Sequence, residues 1–210
     1  MIADAQAEAP LVIVVDDDEG LRNALRRLLR SVGYRVEPFA SARELLQSNA
    51  AKSANCLVLD VRMPMASGFD LQVELTRNDV KAPVIFITGH GDIPMTVRAM
   101  KAGAVDFLAK PFRDQDLLDA VAAAVEADKK RRSEEGLVDG LAERYASLSE
   151  REKQVMALAT AGLMNKQIAF ELGLSEVTVK IHRGRVMKKM QAQTFAQLVR
   201  SADALGVKRT

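Results

Sequence analysis

Acidic residues stand at points where apolar runs of this chain end. Asp16, Asp17 and Asp18 follow directly on the run 11–15, and Asp60 follows the run 56–59. Grouped carboxylates repel one another unless a cation joins them. An oxygen-only set with open positions suits Mg2+, which keeps several of its waters. A hydroxyl and an ammonium extend the pattern: Thr88 ends the run 84–88, and Lys110-Pro111 comes just after the run 105–108. The Thr88 hydroxyl could hydrogen-bond a phosphoryl oxygen, and Lys110 could offer the same group a point charge. Two carboxylates for a metal, one for attack, a hydroxyl and an ammonium together describe phosphoryl transfer to an aspartate. Most catalysis of that reaction comes from neutralising charge on the transferring group. Taken singly, an acidic turn, a Lys-Pro pair or a terminal threonine is commonplace; their recurrence at successive run ends carries the argument.

The runs read as strands. Residues 11–15 are uninterruptedly apolar and rich in β-branched types, as expected of a strand buried on both faces. Further strands are expected at 36–39, 56–59, 84–88 and 105–108, alternating with helices at 21–29, 42–47, 70–77, 95–101 and from 115 onward. Gly33 suits the end of the first helix, Ser41 the start of the second and Pro94 the first turn of the fourth. Five such repeats predict an α/β fold: a doubly wound, five-stranded parallel sheet with helices on both faces. Its site lies at the carboxyl ends of the strands, where the polar residues above fall.

The two ends of the chain differ in charge. Residues 1–128 hold 14 Lys+Arg against 19 Asp+Glu, a net of −5, and residues 129–210 hold 16 against 9, a net of +7. An acidic front and a basic back predict two domains with different partners, the second a polyanion. The expected division is a disordered tail at 1–9, an α/β domain at 10–128, a highly charged helical linker at 129–147 and a small all-helical domain at 148–210. Gly136 and Gly140 are expected to interrupt the linker. Helices are expected at 149–160, 165–172, 176–190 and 194–204, with Ser149 and Glu152 spaced as a capping box. Gly173-Leu174-Ser175 is a short turn between two of them, the signature of a helix-turn-helix, with Ser175 capping the longer helix. That helix carries Lys180, Arg183, Arg185, Lys188 and Lys189, with Lys166 on the one before. Of its apolar residues Val177, Ile181 and Val186, some must face the core; for His182, capping or packing is the expected role.

Cys56 is the one cysteine, which excludes an internal disulfide and a cysteine zinc site and is expected to be a buried hydrophobe. No run approaches the length needed to cross a bilayer, and the first residues lack the features of a signal peptide, so a cytoplasmic protein is expected.

The run Val14-Val15-Asp16-Asp17-Asp18, then Leu59-Asp60-Val61-Arg62-Met63-Pro64 with Ser67-Gly68, then Ile87-Thr88-Gly89-His90-Gly91-Asp92 and Lys110-Pro111-Phe112, resembles the receiver domains of two-component response regulators. The resemblance implies a flavodoxin-like fold and phosphorylation of Asp60 by a sensor histidine kinase. It also implies Mg2+ on Asp16, Asp17, Asp60 and the backbone carbonyl of Arg62, Thr88 and Lys110 as catalytic partners, and a switch formed by Thr88 and Phe107. Asp18, just past the acidic pair, is left out of the metal site. The order Leu148-Ser149-Glu150-Arg151-Glu152, Gly162-Leu163-Met164-Asn165-Lys166-Gln167-Ile168-Ala169 and Thr178-Val179-Lys180-Ile181-His182 resembles the LuxR-type DNA-binding domain of the FixJ/NarL subfamily. The two together are similar to the StyR/TodT group of regulators of aromatic catabolism. On that likeness Lys180 and Ile181 face bases, while Asn165, Lys166, Thr178 and Arg183 lie near phosphates. Gly184 stands where some relatives have a longer side chain, which removes one candidate base contact.

The resemblance therefore implies a transcription factor, an activator, switched by phosphorylation. Receiver dimers would form around Thr88, Phe107 and the helix at 95–101, and the partners would be double-stranded DNA and RNA polymerase, with no membrane. It implies self-phosphorylation and dephosphorylation but no other enzymatic activity. Two alternatives share part of this chemistry: a phosphotransfer enzyme whose helical end docks proteins, and a DNA-binding protein whose receiver acts without phosphate.

Overall fold

The computed structural model describes residues 9–89 and 93–207. The expected tail at 1–9, apart from Ala9, and the segment His90-Gly91-Asp92 of the receiver-like motif lie outside the described residues. The chain divides into two compact units at Arg131 and Arg132.

The first unit is a five-stranded parallel sheet of β1 (Leu11–Val15), β2 (Arg35–Phe39), β3 (Cys56–Asp60), β4 (Val84–Thr88) and β5 (Asp106–Ala109), in the spatial order β2-β1-β3-β4-β5. The helices are α1 (Glu19–Ser31), α2 (Ala42–Ser48), α3 (Gly68–Arg77), α4 (Ile93–Lys101) and α5 (Asp114–Ala146). Side chains alternate across the sheet, so each strand feeds two apolar layers. Ile13, Val15, Leu57, Leu59 and Phe86 fill one, with Leu45, Leu71 and Leu75 from α2 and α3. Val12, Val14, Val58, Ile85 and Ile87 fill the other, with Leu25, Leu29, Leu117 and Val121 from α1 and α5. Strands β1, β3 and β4 are buried along their whole length, which explains their unbroken apolar character. Cys56 is buried among them, and burial, with the nearby Asp128 charge, pushes its thiol pKa up.

The strand ends depart from expectation by small, informative amounts. Asp60 is the last residue of β3 rather than the first after it, paired in register with Ile87. Strand β5 sits one residue later than expected, its residues only partly buried at the sheet edge. Helix α3 starts at Gly68, two residues early, because Ser67 and Asp70 form a reciprocal capping box.

The second unit is helical: α6 (Glu150–Thr160), α7 (Asn165–Leu172), α8 (Glu176–Lys189) and α9 (Phe195–Ala204). All but the last residue of the expected linker at 129–147 falls within α5, which continues to Ala146, and Gly136 and Gly140 are helical residues rather than interruptions. A Cβ added at either glycine would meet nothing within 4 Å, so no close neighbour requires glycine there. Leu141 and Tyr145, near the end of α5, pack against a core of Leu148, Met156, Val186, Met190 and Leu198. A second cluster joins Val155 and Leu158 of α6 to Ile168 of α7 and Val179 of α8. Glu152 and Ser149 cap α6 reciprocally, Gly173 ends α7 in the left-handed conformation, and the Ser175 side chain caps α8. Among the described residues, no helix is long and apolar enough to cross a membrane.

Candidate functional site

Parallel pairing puts Val15 beside Leu59, so the residue following β1 and the last residue of β3 share one end of the sheet. Asp16, Asp17 and Asp60 meet there, each offering an oxygen within 4.8 Å of the others. Asp16 is fully buried, and both its oxygens are occupied. Oδ1 accepts the Asp18 N–H at 2.8 Å, and Oδ2 accepts Lys110 Nζ at 2.7 Å. Lys110 reaches in from just past β5, anchored by its own backbone N–H, which donates to the Thr88 carbonyl at 2.7 Å. Its ammonium also stands 3.5 Å from Asp60 Oδ1, an ion-pair distance. Thr88 is buried at the end of β4, between these two strands.

Asp60 is the exception among these groups. It is 6% exposed, yet among the described residues its Oδ1 accepts no hydrogen bond. Burial raises its carboxyl above the usual range; the Lys110 charge opposes this, the Asp16 charge adds to it, and the backbone N–H of Arg62 opposes it. A buried, unsatisfied carboxylate oxygen costs free energy unless a ligand completes it. Asp16, Asp17 and Asp60 together form an all-oxygen donor set that fits a hard cation.

Other expected residues sort around this pocket. Asp17 is exposed and belongs to the cluster, whereas the Asp18 carboxylate is turned to the α1 N-terminus, where it accepts the Leu21 N–H at 3.0 Å. The Arg62 side chain is exposed. Phe107 is half-buried in β5 and packs against the layer containing Ala99 of α4. Gly68 is a residue whose role spacing alone did not reveal. A Cβ there would lie 2.4 Å from the Asp60 carbonyl oxygen, so only glycine lets α3 start directly beneath the end of β3.

The second candidate surface lies on α7 and α8. Lys166 and Lys180 are exposed. Arg183 Nη1 donates to Asn165 Oδ1 at 2.9 Å, and its guanidinium lies 5.0 Å from the Phe195 ring centroid. Both residues were expected at a nucleic acid; here they are tied to each other, and aromatic stacking orients the arginine. Thr178 is tethered to the cap, with its hydroxyl 2.8 Å from Ser175 Oγ. Of the apolar residues on α8, Val186 is core with Val179, while Ile181 and Val177 are exposed. His182 is half-buried and, among the described residues, belongs to no metal-type cluster.

Comparison with known proteins identifies both domains. Residues 12–122 match the response regulator receiver domain, and residues 146–202 match the bacterial regulatory proteins of the luxR family. The chain is 59% identical over 197 residues to nodulation protein W of Bradyrhizobium diazoefficiens, covering 94% of this chain and 87% of that one. It is 47% identical over 197 residues to the response regulator protein TodT of Pseudomonas putida, with the same coverage of 94% and 87%. The solved structure of the response regulator StyR superposes with a TM-score of 0.86 at 50% identity, over 93% of this chain and 98% of that one. The buried aspartate pocket at the sheet end and the helix-turn-helix beyond it are thus two halves of one known design, and the chain belongs to the two-component response regulators that join a receiver domain to a LuxR-type DNA-binding domain and regulate transcription.

Proposed function

We propose that Asp60 is the phosphoacceptor through which a sensor histidine kinase controls DNA binding by this regulator. The carrying observation is the buried Asp60 Oδ1, which among the described residues accepts no hydrogen bond, beside Asp16, Asp17 and Lys110. In the transfer, an Asp60 carboxylate oxygen attacks phosphorus, the P–N bond to the kinase histidine breaks, and the imidazole nitrogen keeps the bonding pair. Asp16, Asp17, Asp60 and the Arg62 backbone carbonyl would hold Mg2+, which supplies positive charge for the phosphoryl oxygens. Lys110 is close enough to both Asp16 and Asp60 to move its ammonium toward the new phosphoryl group, and the Thr88 hydroxyl would turn to the same group. Phe107, half-buried beside α4, would change rotamer in response. Phosphorylation would then favour a receiver homodimer through the α4–β5 face.

The domain boundaries of this reading are the receiver at 10–128, the connecting helical segment at 129–147 and the DNA-binding domain at 148–210. Dimers would bind paired half-sites in double-stranded DNA, with α8 in the major groove. Lys180 and Ile181 would meet bases, and Asn165, Lys166, Thr178 and Arg183 would meet phosphates. The regulator acts as a cytoplasmic activator, with RNA polymerase as its downstream partner. Incubation with Mg2+ and acetyl phosphate, followed by intact-mass measurement, tests the acceptor. Wild type gains one phosphoryl group and Asp60→Asn gains none; equal labelling of both would refute the assignment. A mobility-shift titration before and after phosphorylation tests its link to DNA.

A further inference from the structure

The apolar residues of α8 that do not enter the core lie together. Taking about 100° per residue, Val177, Ile181, Gly184 and Lys188 fall within roughly 60° of one another. Val179, Val186 and Met190 project from the opposite side and are buried in the cores of the second unit. Val177 is 69% exposed and Ile181 50% exposed. Gly184 opens the middle of the stripe, since a Cβ built there meets nothing within 4 Å. Lys180 flanks it on one side and Arg185 on the other, both exposed, and Lys188 continues it.

An apolar stripe framed by cations is a poor solvent-facing design for a helix and a good one for a DNA groove. Valine and isoleucine have lower helix propensity than lysine or glutamate, so an exposed pair gains nothing from helix formation. Val177 is the second residue of α8, and in a helix-turn-helix the first residues of that helix are the ones that reach base edges. The one apolar group presented on the major-groove edge is the 5-methyl of thymine. Surrounding lysines and arginines would pull phosphates to either side and press the stripe into the groove.

We infer that Val177 is a sequence-specificity residue that, beside the base-facing Ile181 of the reading above, reads a thymine 5-methyl group, with Gly184 leaving room for the base edges between them. This rests on the DNA-binding reading above and adds its chemical target, with Val177 as a reader of its own. The stripe is exposed, so Val177→Ala and Ile181→Ala leave the core intact.

The test begins by selecting a tight duplex from random sequence with the full-length phosphorylated protein. Deoxyuridine, which lacks only the methyl, then replaces thymidine one position at a time. Wild type is expected to lose about fourfold in affinity at two or more positions, the factor for one buried methyl-sized group. Val177→Ala should lose that sensitivity at one position and Ile181→Ala at another, while the dependence of affinity on salt, set by phosphate contacts, stays unchanged. Binding that is equally tight with thymidine and deoxyuridine throughout would overturn the inference and leave the DNA-binding reading standing. Failure to bind any duplex would overturn both.

Discussion

Two buried carboxylates, one in each unit, are treated in opposite ways. Glu152 in α6 is 3% exposed, and its Oε2 accepts Lys189 Nζ at 2.6 Å and the Ser149 N–H at 2.8 Å. Those bonds, the lysine's first, hold its carboxyl below the usual range. Asp60 is buried to a similar degree, but among the described residues its Oδ1 accepts no hydrogen bond and has only the Lys110 ammonium at 3.5 Å, and burial raises its carboxyl instead. Glu152 is a fastening: it joins the start of α6 to the end of α8, and Lys189 extends the joint by donating to the Ser147 carbonyl at 3.0 Å. Asp60 has no such fastening on its Oδ1 among the described residues. Burial alone does not distinguish a structural acid from a reactive one; the completeness of its hydrogen bonds does.

The comparison breaks if removing either charge has the same effect. Glu152→Ala deletes a capping arm and a buried charge-assisted bond, and should destabilise the second unit by about 2–3 kcal/mol. Asp60→Asn relieves a buried charge facing Asp16, and should stabilise the first unit in chelating buffer. Hydrogen exchange followed separately in α6 and β3 reads the two units independently, as a multi-domain chain requires. Lowering pH is the reversible version of the experiment. Glu152, with its lowered value, contributes stability that is present above 4.5 and lost as pH falls through the folded-state value. Asp60 has the reverse sign: its raised value favours folding below 3.8, an advantage lost as pH rises through the folded-state value. Protection of α6 should therefore fall on acidification before protection of β3 does.

How much of this was legible differs between the regions for physical reasons. The pocket residues Asp16, Asp17, Asp60, Thr88 and Lys110 could be found because a parallel sheet gathers strand ends, and each of them marks such an end. The helix-turn-helix was legible through local signals, the Ser149–Glu152 cap and the Gly173 turn. Long-range chemistry was not. Asn55 Oδ1 accepts the Leu11 N–H at 2.8 Å while its Nδ2 donates to the buried Asp128 at 2.9 Å, a pairing across 73 residues that leaves no local trace. Nor did composition show that Arg183 would be held by Asn165 and Phe195, or that α5 would run through Gly136 and Gly140. On α8 the apolar residues were visible but not their facing, which depends on where α6 and α9 pack.

Gly68 sharpens the contrast at Asp60. Its missing side chain lets α3 begin against the Asp60 carbonyl, and an added Cβ would also lie 3.2 Å from a Phe86 ring carbon. Gly68→Ala must move one of these, and should cost about 2 kcal/mol by overpacking. The displacement falls on the strand end that carries Asp60, the proposed acceptor. Phosphorylation by acetyl phosphate should therefore slow in the fraction that remains folded, measured by intact mass alongside a urea titration. Wild-type stability and rate would mean that the close approach has no role in holding Asp60.

The same substitution on the other surface should have the opposite sign. Gly184 lies inside α8, has no positive φ, and a Cβ there meets nothing within 4 Å. Gly184→Ala restricts the unfolded chain and improves helix propensity without strain, so it should stabilise the second unit by about 0.5–1 kcal/mol. Hydrogen exchange in α8 would show it as slower opening, with the first unit unaffected. Because one methyl still leaves the stripe shallow, the selected duplex should bind with nearly unchanged affinity, whereas Gly184→Leu should weaken it by filling the space the bases need. A stabilised alanine variant that loses the duplex altogether would show that base edges come as close to α8 at Gly184 as the Asp60 carbonyl comes to α3 at Gly68. The two glycines would then be required for the same reason, one by the protein's own backbone and the other by its ligand.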